Sequence, residues 1–123
     1  MVVIKALSQQ TLRKQYLVGK TGKREAQMKI ENKHNDWLFE QLKDAKFAAD
    51  FLNAASEDDD PATYLSALRK VVDARGGMAT IAEKTELSRE TLYRTLSKRG
   101  NPTIKTLVRI LKATGLKIEV TAH

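Results

Sequence analysis

Few side chains in this 123-residue sequence could support catalysis. The two histidines, His34 and His123, lie in a polar run and at the C-terminus, and neither has a neighbouring nucleophile or metal-ligand partner. Residues 19–21, GKT, resemble the end of a phosphate-binding loop, but Lys14 stands where such a loop needs its first glycine. The chain has no cysteine, which excludes thiolate chemistry and disulfides. We therefore expect no enzymatic activity, no metal site and no cofactor.

The run RETLYR, residues 89–94, concentrates side chains that can form hydrogen bonds. Leu92 and Leu96 are four residues apart, so a helix would bury both on one face and leave the polar side chains outside it. In the major groove of DNA, arginine can donate two hydrogen bonds to guanine and glutamate can accept one from cytosine. The predicted base contacts are Arg89, Glu90, Thr91, Tyr93 and Arg94. The alternative is a solvated face on which Glu90 pairs with Arg94.

Two short helices joined by a turn would position these side chains. The apolar residues of MATIAEKT, residues 78–85, share one helical face and predict the first helix. Ser88 is typical of an N-cap, because its hydroxyl can accept from backbone N–H groups that have no partner within the helix. The second helix should run from Arg89 to about Ser97. A buried face on both helices and an arginine-rich face on the second indicate a helix-turn-helix.

Basic and hydroxyl side chains follow the second helix. Residues 100–102, GNP, predict a loop, and Thr103 can cap a last helix over 104–114 whose inward residues would be Ile104, Leu107, Val108 and Leu111. This motif class places phosphate contacts in and after the loop. The predicted phosphate contacts are Ser88, Lys98, Arg99, Thr103, Lys105 and Thr106. One copy contacts few phosphates, so we expect a dimer on a palindromic site.

The net charge of +7 is unevenly distributed. Residues 1–35 carry eight Lys or Arg and two Glu (+6), residues 36–60 carry two Lys and eight acids (−6), and residues 61–123 carry twelve basic and five acidic residues (+7). The basic charge coincides with the predicted helix-turn-helix, which favours nucleic acid as a partner. The apolar runs are too short to span a membrane and the first residues lack a signal peptide's pattern, so we expect a cytoplasmic protein.

Four segments carry a resemblance to a known family. They are DAKFAADFLNAA (44–55), DPATYLSALRKVVDARGGM (60–78), ELSRETLYRTLSKRGNP (86–102) and TLVRILKATGLKI (106–118). The two-helix pattern resembles the lambda-repressor-like (XRE family) helix-turn-helix. More closely, about 90 of the 123 positions are similar to the addiction-module antidote proteins, the HigA-like antitoxins. The chain departs from that family at Glu86, where a glycine with a left-handed backbone is usual.

The resemblance implies a function. It implies the antitoxin of a type II toxin-antitoxin module, which binds operator DNA as a homodimer, represses its own operon and neutralises an RNA-cleaving toxin of the RelE/ParE superfamily. One alternative is a solitary, phage-type transcriptional repressor of the same fold with no toxin partner. A second is a helical protein-interaction module whose arginine-rich face is only solvated. Salt-dependent binding to duplex DNA separates this last alternative from the others.

We predict an all-α fold, a lambda-repressor-like helix-turn-helix bundle of about five to six helices, divided into four regions. Residues 1–33 form a basic, flexible N-terminal extension, which could follow DNA phosphates or precede a natural start at Met28. Residues 34–60 form N-terminal helices, and residues 61–115 form the helix-turn-helix DNA-binding domain. Residues 116–123 form a C-terminal strand or tail, because apolar and polar residues alternate there.

Capping residues set the expected helix starts. Asn35 or Asp36 can cap a first short helix, Asp44 a second that runs to about Ser56, and Asp60 a third over residues 61–75. The C-terminal strand would need a partner, either Val2-Val3-Ile4 of the same chain or the tail of a second subunit.

A cluster of apolar residues lies in the first predicted helix. Its members are Trp37, Leu38, Phe39 and Leu42. They lie within the acidic stretch of residues 36–60, whose negative charge complements a basic, RNA-binding toxin. We therefore predict toxin binding there, and the alternative is that these residues complete the monomer core.

Overall fold

The computed structural model describes residues 23–122, with side chains from residue 30 onward. These residues form six helices and no strand, which confirms the all-α prediction for this part of the chain. The helices are α1 (Lys23–Leu42), α2 (Ala45–Ala55), α3 (Pro61–Ala74), α4 (Gly77–Thr85), α5 (Arg89–Thr95) and α6 (Ile104–Ala113). None of the six is both long enough and apolar enough to cross a membrane.

Side chains close the N-termini of four helices, as the sequence predicts. The cap bonds run from the N–H of Phe47 to Asp44, from Ala62 to Asp60, from Thr91 to Ser88 and from Thr106 to Thr103. Each cap satisfies a backbone N–H that has no partner inside its helix. The starts of α2, α3, α5 and α6 are therefore determined by local sequence.

Helix α3 lies at the centre of the packing and contacts α1, α2 and α4, while α4 also contacts α5 and α6. The largest buried side chains come from five helices and share one core. They are Leu42 of α1, Leu68, Val71 and Val72 of α3, Ile81 of α4, Leu92 of α5 and Ile110 of α6. The N-terminal helices and the two-helix unit α4–α5 are thus parts of the same hydrophobic core.

The first helix is longer than the sequence pattern suggests. It begins at Lys23, so Asn35 and Asp36 lie inside it and cap nothing. Residues 23–42 contain neither proline nor glycine, so no residue interrupts the helix where the caps were predicted. The predicted N-terminal extension is therefore helical from Lys23, and its residues 1–22, including Val2-Val3-Ile4, lie outside the described residues.

The buried face of α6 differs from the predicted one. Ile104 is 77% exposed, whereas Ile110 is fully buried together with Leu111. The positions 107, 110, 111 and 114 have the same helical spacing as the predicted 104, 107, 108 and 111. Because Ile104 is the first residue of the helix, its side chain lies at the end that the core does not cover.

The predicted C-terminal strand is absent from residues 116–122. Leu116 packs on the core and its N–H donates to the carbonyl of Leu111, while Ile118 and Val120 are 47% and 94% exposed. A strand needs a second strand to satisfy its backbone groups, and none of the described residues forms one. The prediction of a strand from this alternating pattern was therefore wrong for residues 116–122.

Candidate nucleic-acid interface

A three-residue turn links α4 to α5. Glu86 ends α4 in the left-handed conformation (φ 62°, ψ 21°), and its N–H points back to the carbonyls of Ala82 and Glu83. The N–H of Leu87 also donates to Ala82, over 3.1 Å. Ser88 then begins α5. The backbone thus adopts the left-handed turn expected at Glu86, although the residue is not glycine.

The burial of α5 separates its packing face from its polar face. Leu92 is fully buried and Leu96 is 2% exposed, which confirms the predicted inward pair. Four of the predicted base contacts, Arg89, Glu90, Tyr93 and Arg94, are exposed, and the fifth, Thr91, is half-buried. The helix therefore presents its arginines, its glutamate and its tyrosine to the solvent.

The charges of this polar face are not paired with one another. Glu90 and Arg94 form no ion pair, so the alternative in which they pair with each other is not observed. The ion pairs found within residues 30–122 are Lys43–Glu40 and Lys46–Asp50, both in the N-terminal half. The basic side chains Arg89, Arg94, Lys98, Arg99 and Lys105 are all exposed. This cationic surface can therefore accept an anionic partner without first breaking a salt bridge among the described residues.

Two hydroxyls predicted to bind phosphate are already used as helix caps. Ser88 Oγ accepts from the Thr91 N–H over 3.0 Å and donates to Thr91 Oγ1 over 2.8 Å. Thr103 Oγ1 makes the same two bonds to Thr106, over 3.2 Å and 3.1 Å. Either hydroxyl of such a pair can donate to the other, so each pair leaves one hydroxyl proton for an external acceptor. Each of the two caps can therefore offer one hydroxyl donor to DNA.

Gly100 fixes the loop that carries Lys98 and Arg99. Its N–H donates to the carbonyl of Ser97 over 2.9 Å. A Cβ at this position would lie 1.9 Å from the carbonyl oxygen of Thr95, which no side chain could tolerate without a backbone shift. Glycine therefore lets the loop fold tightly against the end of α5 and holds the two exposed cations beside it.

An arginine of α3 contacts the polar face of α5. The guanidinium carbon of Arg69 lies 5.0 Å from the centroid of the Tyr93 ring. Arg69 was not among the predicted site residues, because sequence spacing within one helix gives no sign of a contact between α3 and α5. The sequence does indicate that Arg69 is exposed, since it lies outside the buried stripe of α3.

The predicted toxin-binding residues divide into two groups. Leu38 and Leu42 are 5% and 0% exposed and belong to the core, so they are not available to a partner in this structure. Trp37 and Phe39 are 42% and 40% exposed. Residues two positions apart on a helix point about 200° apart, so these two aromatics lie on different sides of α1.

Each exposed aromatic of α1 has its own neighbours. Trp37 stacks on His34 at 6.1 Å between centroids and meets the edge of Phe47 at 5.9 Å. Burial lowers the pKa of His34, and the positive charge of Lys70 lowers it further. Phe39 lies beneath the ammonium group of Lys43, 5.2 Å from its ring centroid.

Comparison with known proteins identifies related sequences. A family model described as "Probable addiction module antidote protein" matches residues 33–122. A protein of Haemophilus influenzae, named only as an uncharacterized protein, is 38% identical over 92 residues, which cover 68% of this chain and 94% of that protein. No solved structure matches. The family match includes all of α2 to α6 and therefore every residue predicted to contact DNA, from Ser88 to Thr106.

Proposed function

Because the chain belongs to the family of probable addiction module antidote proteins, we propose that it is a HigA-like, type II antitoxin that binds its own operator DNA through α4 and α5 and represses its operon. The observation that carries the proposal is the exposed polar face of α5, where Arg89, Glu90 and Arg94 form no ion pair with described residues. Such a protein acts in the cytoplasm by binding, without catalysis or a cofactor.

In this proposal α4 and α5 form a lambda-repressor-like helix-turn-helix, and α5 enters the major groove. Arg89 and Arg94 donate to guanine, and Glu90 accepts from the amino group of cytosine. Lys98, Arg99 and Lys105 contact phosphates beside the groove, and one hydroxyl donor from each of the two caps supplements them. The buried Leu92 and Leu96 hold α5 on the core while its other faces contact DNA.

A homodimer is part of the proposal. One copy offers only a short loop and one helix start to the phosphates, which supplies limited affinity at physiological salt. Two copies on a palindromic operator double these contacts and read two half-sites separated by about one helical turn of DNA. Repression then follows from occupancy of the operator.

As an antidote protein, the chain has a cognate toxin as its partner. We place the toxin in the RelE/ParE superfamily of RNA-cleaving proteins and its contacts on α1, with Trp37 on one side of that helix and Phe39 on another. Both rings are about two-fifths exposed. The segment that contains them, residues 36–60, has a net charge of −6, which complements the basic surface of a protein that binds RNA.

The DNA-binding part is tested by fluorescence anisotropy with the duplex upstream of the protein's own operon and with a shuffled duplex. We expect steeply salt-dependent binding with a preference for the first. Arg94→Ala should weaken binding to the operator by about 1–3 kcal/mol, roughly 5- to 150-fold, and change binding to shuffled DNA much less. Equal losses on both duplexes would make Arg94 a phosphate contact, and absence of salt-dependent binding by the wild type would overturn the proposal.

A further inference from the structure

Arg69 lies in α3, outside the two-helix unit, but its side chain reaches α5. Its guanidinium carbon lies 5.0 Å from the centroid of the Tyr93 ring, within the range of a cation–π contact. We propose that Arg69 is a positioning residue for DNA recognition, which holds the Tyr93 ring against an operator base and bonds a neighbouring phosphate with the edge of its guanidinium. The proposal rests on the proposed DNA-binding function.

The Tyr93 ring needs a support to act as a specificity element. It is 39% exposed on α5, and among the residues that the structure describes no second ring or cation contacts it. An unsupported tyrosine on an exposed helical face can change rotamer, which costs entropy when it docks on a base. The guanidinium of Arg69 restricts the ring before DNA arrives, so less of that cost remains at binding.

The same guanidinium keeps its hydrogen-bond donors for a ligand. A guanidinium carries five N–H donors, and its contact with an aromatic ring supplies no oxygen acceptor for them. Arg69 forms no ion pair or side-chain hydrogen bond with any residue from 30 to 122. Asp73 lies one turn further along α3, where burial raises its pKa and the charge of Arg69 opposes that rise, but the two groups are not within ion-pair distance.

A duplex docked on α5 brings an acceptor to these donors. Phosphates border every base in the groove, so a cation beside a base-reading side chain lies near the DNA backbone. Arginine matches phosphate geometry with two parallel N–H groups, which lysine cannot do. Arg69 therefore extends the candidate interface from α5 to α3 and adds one phosphate contact to those after α5.

The test compares Arg69→Ala, Arg69→Lys and Tyr93→Leu in the full-length protein, with Lys70→Ala as the control because Lys70 is the exposed cation next to Arg69. Far-UV circular dichroism first establishes that each variant is folded. Affinities for the upstream operon duplex and for a shuffled duplex are then measured over a series of salt concentrations. The slope of log K against log salt reports the number of phosphates contacted.

We expect Arg69→Ala to reduce the slope of log K against log salt by about 1 on both duplexes. Its affinity for the operator duplex should fall by a further 2- to 5-fold, roughly the effect of an exposed cation–π contact. Arg69→Lys should recover the slope but only part of the operator preference. Tyr93→Leu should reduce the preference but keep the slope. The double variant Arg69→Ala, Tyr93→Leu should lose no more preference than Tyr93→Leu alone.

An Arg69→Ala variant with the slope and preference of the wild type would overturn the inference, and so would equal changes in Lys70→Ala. Both results leave the proposed function intact, because the wild type would still bind its operator. If the wild type shows no salt-dependent binding, the proposed function fails and the inference fails with it.

Discussion

The Nε of Arg75 donates a hydrogen bond of 2.5 Å to the backbone carbonyl of Thr114, the residue that ends α6. A second donor of the same guanidinium, Nη1, bonds the carbonyl of Lys43 in the turn between α1 and α2 over 2.6 Å. Arg75 itself ends α3. One side chain thus satisfies two carbonyls that no helix satisfies and connects three separate parts of the chain.

We expect Arg75→Ala to lower the free energy of unfolding by about 1–3 kcal/mol, because hydrogen bonds to a charged donor are lost and two carbonyls lose their partner. Urea unfolding can be followed through the fluorescence of Trp37, the one tryptophan. Arg75→Lys should recover only part of the loss, since an ammonium cannot span both carbonyls as a guanidinium does. Arg109→Ala, an exposed arginine of α6, is the control, and an Arg75→Ala midpoint equal to it would contradict the prediction.

Glu86→Gly should stabilise the protein. Glu86 has φ 62° and is the one non-glycine residue with positive φ between residues 23 and 122. The left-handed conformation costs an L-residue roughly 1–2 kcal/mol, which glycine avoids. Glycine loses more conformational entropy on folding, and this offsets about 0.5–1 kcal/mol of the gain. The net gain should be about 0.5–1 kcal/mol by thermal unfolding.

Glu86→Ala is the matched control for that substitution, since alanine keeps the left-handed penalty and removes the carboxylate. Its stability should stay within about 0.5 kcal/mol of the wild type. A gain in stability in Glu86→Ala as large as that in Glu86→Gly would show that the carboxylate, and not the left-handed backbone, destabilises the wild type.

The local features of this fold could be predicted from the sequence. Asp44, Asp60, Ser88 and Thr103 each cap the helix that they were predicted to cap, because a cap bond spans only two or three residues. The burial of Leu92 also followed from spacing alone, since few other apolar residues lie on α5. The exposed polar face of α5 follows directly from that assignment.

The features that depend on distant residues could not be predicted. Ile104 and Ile110 both fit an apolar stripe on α6, and only the position of α4 decides which of them is buried. Arg69 of α3 contacts Tyr93 of α5, and the spacing of residues within either helix does not show that these two side chains meet. Leu38 looked like part of an exposed cluster until the packing of α1 against α3 placed it in the core.

Leu92→Ala should destabilise the fold. The side chain is fully buried, and truncation of such a leucine costs about 2–5 kcal/mol through lost burial and the cavity that remains. Arg94→Ala, two residues away and exposed, should change the free energy of unfolding by no more than about 0.5 kcal/mol. Similar melting temperatures for the two variants would mean that α5 packs on the core through a different face.

The proposed toxin-binding surface on α1 can be tested only with point variants. Removal of α1 and α2 would take Leu42 and Leu52 from the shared core, so a chain that begins at Pro61 would lose its fold together with any partner contact. Trp37 and Phe39 are exposed enough to be truncated with less damage. We therefore choose the double variant Trp37→Ala, Phe39→Ala.

This double variant should bind the cognate toxin at least about 30-fold more weakly than the wild type, because aromatic anchors that become buried contribute about 2 kcal/mol or more to protein interfaces. Its affinity for operator DNA should not change, since neither ring lies on α5. Ile104→Ala removes a more exposed apolar side chain from α6 and should leave toxin affinity intact. Toxin binding can be measured by calorimetry. An unchanged affinity in the double variant, or an equal loss in Ile104→Ala, would move the toxin site away from α1.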